Sequence, residues 1–139
     1  MLFEKMKWDL MRYSWIGAKD LLVASTTFTM GLPIWGGRTG YMVGIYGRVV
    51  TAFTGITGPV TIEVGFEGST DAIIGKNDLG IERELIGRPV DAKWFCATRD
   101  TVYNLPSPIV TFTSASGNLA SLTAGRVEIV VVHLVPETE

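Results

Sequence analysis

The feature that most constrains the fold is the apolar stretch at residues 126–135. A half-buried strand carries polar residues on its solvent face, but the only charged residue after Arg126 in this stretch is Glu128. Both faces of the stretch are therefore mostly apolar. We predict a strand in the middle of a sheet, covered on each face by the domain or by a second copy. Strand alternation places Val127, Ile129, Val131, His133 and Val135 on one face, and Glu128, Val130, Val132 and Leu134 on the other.

Short β-type segments alternate with glycine- and proline-rich turns along the whole chain. Gly44 and Gly47 predict a bulge or a bend inside one segment, 41–53, which we expect to pair antiparallel with 60–66. The pattern predicts an all-β fold, a single antiparallel jelly-roll-like sandwich of about eight strands. An immunoglobulin-type sandwich is the alternative. The other predicted strands are 21–30, 72–74, 92–98 and 109–114, and 81–86 reads as a strand or a helical turn.

The N-terminal residues differ from the remainder of the chain. The first 15 residues hold two of the four tryptophans and three of the five methionines, and their pattern fits a helix or a strand. A terminal segment with large apolar side chains is held in place by packing, either on its own domain or on a neighbouring subunit. We therefore divide the chain into an N-terminal arm, 1–19, and a sandwich domain, 20–139.

Composition excludes several classes of function. The net charge is −2, which argues against a broad nucleic-acid footprint. Charged residues make up 19% of the chain, below the typical value of ~25%, which favours a surface buried against partners over a slightly hydrophobic monomer. The sequence has no apolar run long enough for a membrane span. Charges near the N-terminus argue against a signal peptide and predict synthesis in the cytoplasm.

The sequence also lacks the constellations that carry catalysis. One histidine, His133, does not make a metal site, and Cys96 follows an aromatic pair as a buried thiol does. Asp71, Asn77 and Asp78 do not have the spacing of a calcium loop and fit turn formers instead. No nucleophile elbow, phosphate loop or dinucleotide fingerprint occurs. We expect no catalytic residue, no cofactor and no bound metal.

Two blocks, residues 49–74 and 116–136, carry a family resemblance. Their shared pattern is a strand ending in Val64-Gly65, then Asp71-Ala-Ile-Ile74, then the turn Thr123-Ala-Gly125 into a valine-rich strand. This order resembles virion proteins of tailed bacteriophages with a jelly-roll fold, most of all capsid decoration (cement) proteins. The resemblance implies a non-enzymatic homotrimer on the capsid surface that binds the major capsid protein or other virion proteins, with no nucleic acid or membrane partner.

Two other functions stay open at this point. One is a tail, fibre or other head–tail module, and the other is a carbohydrate-binding jelly roll. Large aromatic residues dominate the energetics of interfaces, so tryptophans and their apolar neighbours are the first candidates for contact residues. The candidate interface residues are Phe3, Met6, Trp8, Leu10, Tyr13, Trp15, Trp35, Val130, Val132 and Leu134.

Overall fold

The structure is a computed structural model that describes residues 6–32, 39–87, 93–96 and 108–136. Its strands form two antiparallel sheets, joined by a single-turn helix, α1 (Gly17–Asp20), and a 3₁₀ turn at Leu119–Ser121. The prediction of an antiparallel β-sandwich is therefore confirmed. The strands in chain order are β1 (Met6–Ile16), β2 (Thr27–Gly31), β3 (Thr39–Thr54), β4 (Val60–Phe66), β5 (Ser69–Asp78), β6 (Glu84–Ile86), β7 (Lys93–Cys96), β8 (Ile109–Ser114) and β9 (Ala124–Pro136).

The chain crosses repeatedly between the two sheets. One sheet runs β1-β9-β3-β6, with β7 also paired to β3, and the other runs β2-β8-β4-β5. The apolar stretch at 126–135 lies in β9, between β1 and β3, so its prediction as a central strand is confirmed. β1 pairs with β9 along its whole length, from Met6 opposite Pro136 to Ile16 opposite Arg126.

The predicted pairing of 41–53 with 60–66 is wrong, because β3 and β4 lie in different sheets. β3 pairs with β9, and β4 pairs with β8 and β5. The turn between β3 and β4 contains two glycines with positive φ, Gly55 at 112° and Gly58 at 91°. Alternation along a strand tells which side chains share a face, but it does not identify the neighbouring strand.

The segment predicted as one strand at 21–30 is a strand only over 27–31. The residues before it bond to the 3₁₀ turn: the amide of Leu119 donates to the carbonyl of Ser25 at 2.8 Å, and that of Ala120 to Val23 at 3.1 Å. Leu21 is fully buried beside this contact. The carbonyl groups of Val23 and Ser25, which a strand would use for sheet pairing, thus accept hydrogen bonds from the 3₁₀ turn instead.

The core lies between the inner faces of the two sheets. β4 buries Val60, Ile62 and Val64, while Thr61 and Glu63 between them point outward and are half-buried, as the alternation predicts. Each fully buried aliphatic side chain stabilises the fold by about 2 kcal/mol relative to exposure. The side chains that are fully buried and largest are Phe112, Leu21, Leu32, Ile45, Ile62, Ile73, Ile74, Leu79, Leu85, Leu119, Ile129 and Val49.

The predicted irregularity near Gly44 is confirmed. The ladder between β3 and β9 shifts register between Met42 and Gly44, so that Met42 lies opposite His133 and Gly44 opposite Val132. Such a shift is a β-bulge, which bends one strand and strengthens its local twist.

Candidate interaction surface

The two faces of β1 have different surroundings. Trp15 points inward and is only 5% exposed. Its indole Nε1 lies 3.2 Å from the sulfur of Met30, to which it donates, and its ring meets that of Phe112 edge-on with centroids 5.6 Å apart. Tyr13 stacks beside it at 6.3 Å, and burial raises the pKa of the Tyr13 hydroxyl. These two aromatic residues stabilise the core of their own chain.

The alternate residues of β1 point away from the core. Trp8 is 64% exposed, and Leu10 and Ile16 are also exposed. Large apolar side chains grouped on a surface mark an interaction site more often than isolated ones do. We call the outward side of this sheet between the levels of Trp8 and Ser14 the outer face; its described residues are Trp8, Leu10, Arg12, Ser14, Gly44, Tyr46, Arg48, Glu84, Ile86, Glu128, Val130 and Val132.

Strand register arranges these residues in rows that cross four strands. Directly opposed residues of antiparallel strands share a face with Cβ atoms about 5 Å apart. The Tyr46 row consists of Arg12, Val130, Tyr46 and Ile86. The Arg48 row, next to it, consists of Ser14, Glu128, Arg48 and Glu84. The outer face therefore has an apolar part, ending in the Tyr46 row, beside a row of alternating charge.

A glycine lets an aromatic ring lie close to the sheet on the apolar part of this face. A Cβ built on Gly44 lies 2.9 Å from the hydroxyl oxygen of Tyr46 and 3.0 Å from its Cε2. The Tyr46 ring is therefore folded down over Gly44, as aromatic residues cover glycines in other sheets. It remains 45% exposed, and Ile86 beside it is 77% exposed. Tyr46 and Ile86 thus form an exposed apolar platform, which suits contact with another apolar surface.

The Arg48 row is only partly neutralised within the chain. Arg126 forms an ion pair with Glu128, with Nη2 and Oε2 at 2.7 Å, and its Nε donates to the hydroxyl of Ser14 at 3.2 Å. Arg48 lies between Glu128 and Glu84 in the register, yet it forms no salt bridge with another residue that the structure describes. Its side chain is exposed at the surface.

The structure brings together only part of the predicted interface set. Trp8, Leu10, Val130 and Val132 lie on the outer face, whereas Tyr13 and Trp15 face the core. Phe3 and Trp35 lie outside the described residues. For Met6 and Leu134 the structure describes the backbone alone, which places both at the same end of the sheet.

Sequence reasoning missed two prominent members of the outer face. Tyr46 alternates with the buried Ile45, so its outward direction follows from the predicted strand. Ile86 was harder to find, because its segment was ambiguous between a strand and a helical turn.

The residues considered for calcium, Asp71, Asn77 and Asp78, were predicted in turns but lie in β5, where Asp78 is the last residue of the strand. Asp78 Oδ1 accepts from the amide of Gly80 at 2.7 Å, and Asn77 Nδ2 donates to the carbonyl of Gly75 at 2.7 Å. Within the described ranges no group of three or more histidine, cysteine, aspartate or glutamate residues could hold a metal ion.

The side chains of Cys96 and His133 lie outside the description. No helix in the described part of the chain is long and apolar enough to span a membrane. The outer face is therefore the surface on which the described residues offer a site.

Comparison with known proteins gives one similar solved structure, described as a cyanophage Pam1 capsid asymmetric unit. The two chains share 13% sequence identity with a TM-score of 0.48, over 94% of this chain and 85% of the other. Neither a protein-family model nor a curated protein matches the chain.

Proposed function

We propose that this protein is a non-enzymatic structural protein of a phage virion, which binds and stabilises the mature capsid as a decoration (cement) protein. The observation that carries the proposal is the group of exposed apolar side chains on the outer face, which includes Trp8, Leu10, Tyr46 and Ile86. The resemblance of residues 49–74 and 116–136 to decoration proteins supports it. The proposed partner is the major capsid protein, and the proposed location is the capsid surface, after synthesis in the host cytoplasm.

A protein that binds only the assembled shell stabilises it by mass action, because bound copies must leave before the shell disassembles. The outer face has the composition that such binding uses. Apolar and aromatic side chains supply its centre, and charged side chains lie at its border, as in the core and rim of protein interfaces. Trp8 is the proposed anchor, since exposed tryptophans contribute strongly when an interface covers them.

We further propose that copies self-associate as a homotrimer and that the segment before β1 contributes an arm. β1 is an edge strand of its sheet in the described part of the chain, so residues 1–5 lead directly from that edge. Phe3 is an apolar residue that the arm would offer to a neighbouring subunit, and Met6 follows it at the start of β1. Such contacts add to the affinity for a shell because several copies bind at once.

The direct test mixes the purified protein with expanded capsids that lack decoration. We expect co-sedimentation and a higher melting temperature of the shell. A Trp8→Ala variant should bind several-fold more weakly, because it removes the most exposed aromatic side chain of the outer face. Glu67→Arg, at an exposed turn of the other sheet, is the matched surface control and should bind as wild type does.

Absence of binding and of any change in shell melting contradicts the proposal. Labelling of the protein in purified virions by electron microscopy separates the head from the tail. Label on the tail or fibres would assign the protein to a different structural module of the particle.

A further inference from the structure

We propose that the outer face pairs with the outer face of a second copy about a two-fold axis parallel to the strands, with Glu128 of each copy opposite Arg48 of the other. This pair rests on the self-association part of the proposed function, and it does not require the shell. In the free protein the exposed apolar platform then has one occupant, the same surface on another chain, and capsid binding through this face requires the two copies to separate.

The symmetry follows from the order of the rows. A two-fold axis that runs along the strands, between the two stacked faces, keeps each row opposite the same row of the second copy. It reverses the order of the strands, so that β9 lies over β3 of the second copy and β1 lies over β6. The same patch then contacts itself, as in other two-fold dimers, and the two sheets stack about 10 Å apart as in a sandwich.

Charge complementarity selects this arrangement. In the Arg48 row the order across the strands is Ser14, Glu128, Arg48, Glu84. Reversal of that order puts Glu128 over Arg48 and Ser14 over Glu84, twice in each pair. Arg48, which makes no salt bridge with a described residue of its own chain, then has a carboxylate from the second copy. A guanidinium and a carboxylate form strong hydrogen bonds in a bidentate geometry.

The Tyr46 row is compatible with the same axis. Val130 comes to lie over Tyr46, and Ile86 over Arg12, whose aliphatic stem covers apolar surface while its charged end reaches solvent. A two-fold axis across the strands would instead reverse the row order and place apolar residues against the Arg48 row. That alternative buries charges without partners, which is costly.

The size of the face predicts a weak pair. Strand spacing and rise give a platform of roughly 20 by 23 Å, a footprint of ~450 Å² that is smaller than the ~800 Å² per partner of a standard interface. We therefore expect pairing that depends on protein concentration in solution.

The pair is distinct from the proposed trimer. A two-fold contact alone gives a dimer, and a three-fold contact alone gives a trimer. Both together give a particle of six copies with dihedral symmetry when the two-fold axis meets the three-fold axis at a right angle. Measurement of mass against concentration, by analytical ultracentrifugation, therefore reads the two contacts separately.

The sharpest experiment uses two charge reversals, Arg48→Glu and Glu128→Arg, expressed and folded separately. Each variant alone places like charges opposite each other in the pair, so each should lose the concentration-dependent increase in mass. In an equimolar mixture, the Arg48→Glu chain has a carboxylate at both positions, and the Glu128→Arg chain has a guanidinium at both. Each carboxylate then lies opposite a guanidinium, so the mixture should recover pairing, at least to the wild-type level. Changes within a chain cannot produce this recovery, since both proteins are already folded.

Ile86 gives a second pair of variants that should not disturb folding, because the residue is 77% exposed. Ile86 and Arg12 are separated by two strands within one chain, but they face each other between copies. Ile86→Arg should weaken pairing by like-charge repulsion, whereas Ile86→Glu should retain or strengthen it. Glu67→Arg, away from the outer face, is the control for a change of net charge.

Wild-type protein that shows no two-fold association at any concentration overturns the proposal. So does a mixture of Arg48→Glu and Glu128→Arg that fails to recover, or equal effects of the two Ile86 variants. If Arg48→Glu loses capsid binding while the wild type never pairs, the face belongs to the shell and the pair is wrong. Pairing without capsid binding supports the pair and contradicts the decoration function instead.

Discussion

Two tryptophans on the same strand show how much depends on the direction of a single side chain. Trp8 and Trp15 are both on β1, but their positions have opposite parity, and they are 64% and 5% exposed. The sequence identified both as large aromatic contact residues. It could not separate them, because which face of β1 turns inward is set by its pairing with β9 and by Phe112 and Met30 in the other sheet.

We predict very different effects on stability for the same substitution at these two positions. Trp15→Ala should lower the free energy of unfolding by about 3–5 kcal/mol, because it leaves a cavity and removes the contact with Phe112. Trp8→Ala should change it by less than about 0.5 kcal/mol, as exposed substitutions do. Urea denaturation followed by circular dichroism measures both. Equal losses would contradict the opposite orientations of the two rings.

Gly125 is required by both its backbone and its surroundings. Its φ is 127°, and a Cβ there would lie 2.4 Å from Cγ of Phe53. Gly68 also has positive φ, at 86°, but no atom lies within 4 Å of its Cβ position. Gly68→Ala should therefore cost about 1 kcal/mol of strain, and Gly125→Ala at least about 2 kcal/mol. Thermal melting of both variants checks this order, which a larger loss for Gly68→Ala would contradict.

Burial of Tyr13 predicts a loss of stability at alkaline pH. Burial raises its pKa in the folded state above the ordinary value of 10.0, so an unfolded chain gives up this proton first as the pH rises. Stability supplied by the protonated form is then complete below about pH 10 and declines above it. The difference in free energy of unfolding between wild type and Tyr13→Phe should be constant up to that pH. Above it, the wild type should lose stability relative to the variant. A difference that stays constant well above that pH would exclude the effect.

At the scale of elements, the sequence predicted strands better than it predicted their partners. β4 begins and ends where alternation placed it, at 60 and 66, because its inward and outward residues differ clearly in polarity. The pairing of β3 with β4 was wrong, since the glycines of the intervening turn redirect the chain into the other sheet. The outer face could be predicted only in part, because it needs the order of four strands that are far apart in sequence.

The N-terminal segment should be tested by a short deletion. Removal of residues 1–15 would take away most of β1 together with Trp15, and we expect it to unfold the sandwich. Removal of residues 1–5 leaves the ladder from Met6 to Ile16 intact, so its melting temperature should stay within a few degrees of wild type. If these residues form an arm, the shorter deletion should weaken capsid attachment several-fold. Unchanged attachment of this variant would exclude the arm.

At the scale of the whole molecule, the two sheets present different exteriors. The outward residues of the four-stranded sheet include a group of threonines, with Thr29 Oγ1 and Thr111 Oγ1 3.4 Å apart and Thr61 Oγ1 bonded to the carbonyl of Thr113. Hydroxyl groups of this kind bond within the sheet or to water. The exposed apolar surface is concentrated on the five-stranded sheet, so the two sheets present one apolar face and one polar face. A virion protein bound through its outer face would present the polar face to solvent.

The position of β9 between β1 and β3 also determines when the protein can fold during translation. β1 ends at Ile16 and β9 begins at Ala124, so the ribosome releases β1 long before the strand that pairs with it. Throughout that interval the apolar residues of β1, on both of its faces, are without their sheet. Nascent chains with exposed apolar segments are the species that aggregate or bind chaperones. The five-stranded sheet is therefore completed only after β9 has emerged, and expression yield should depend on how the cell protects β1 until then.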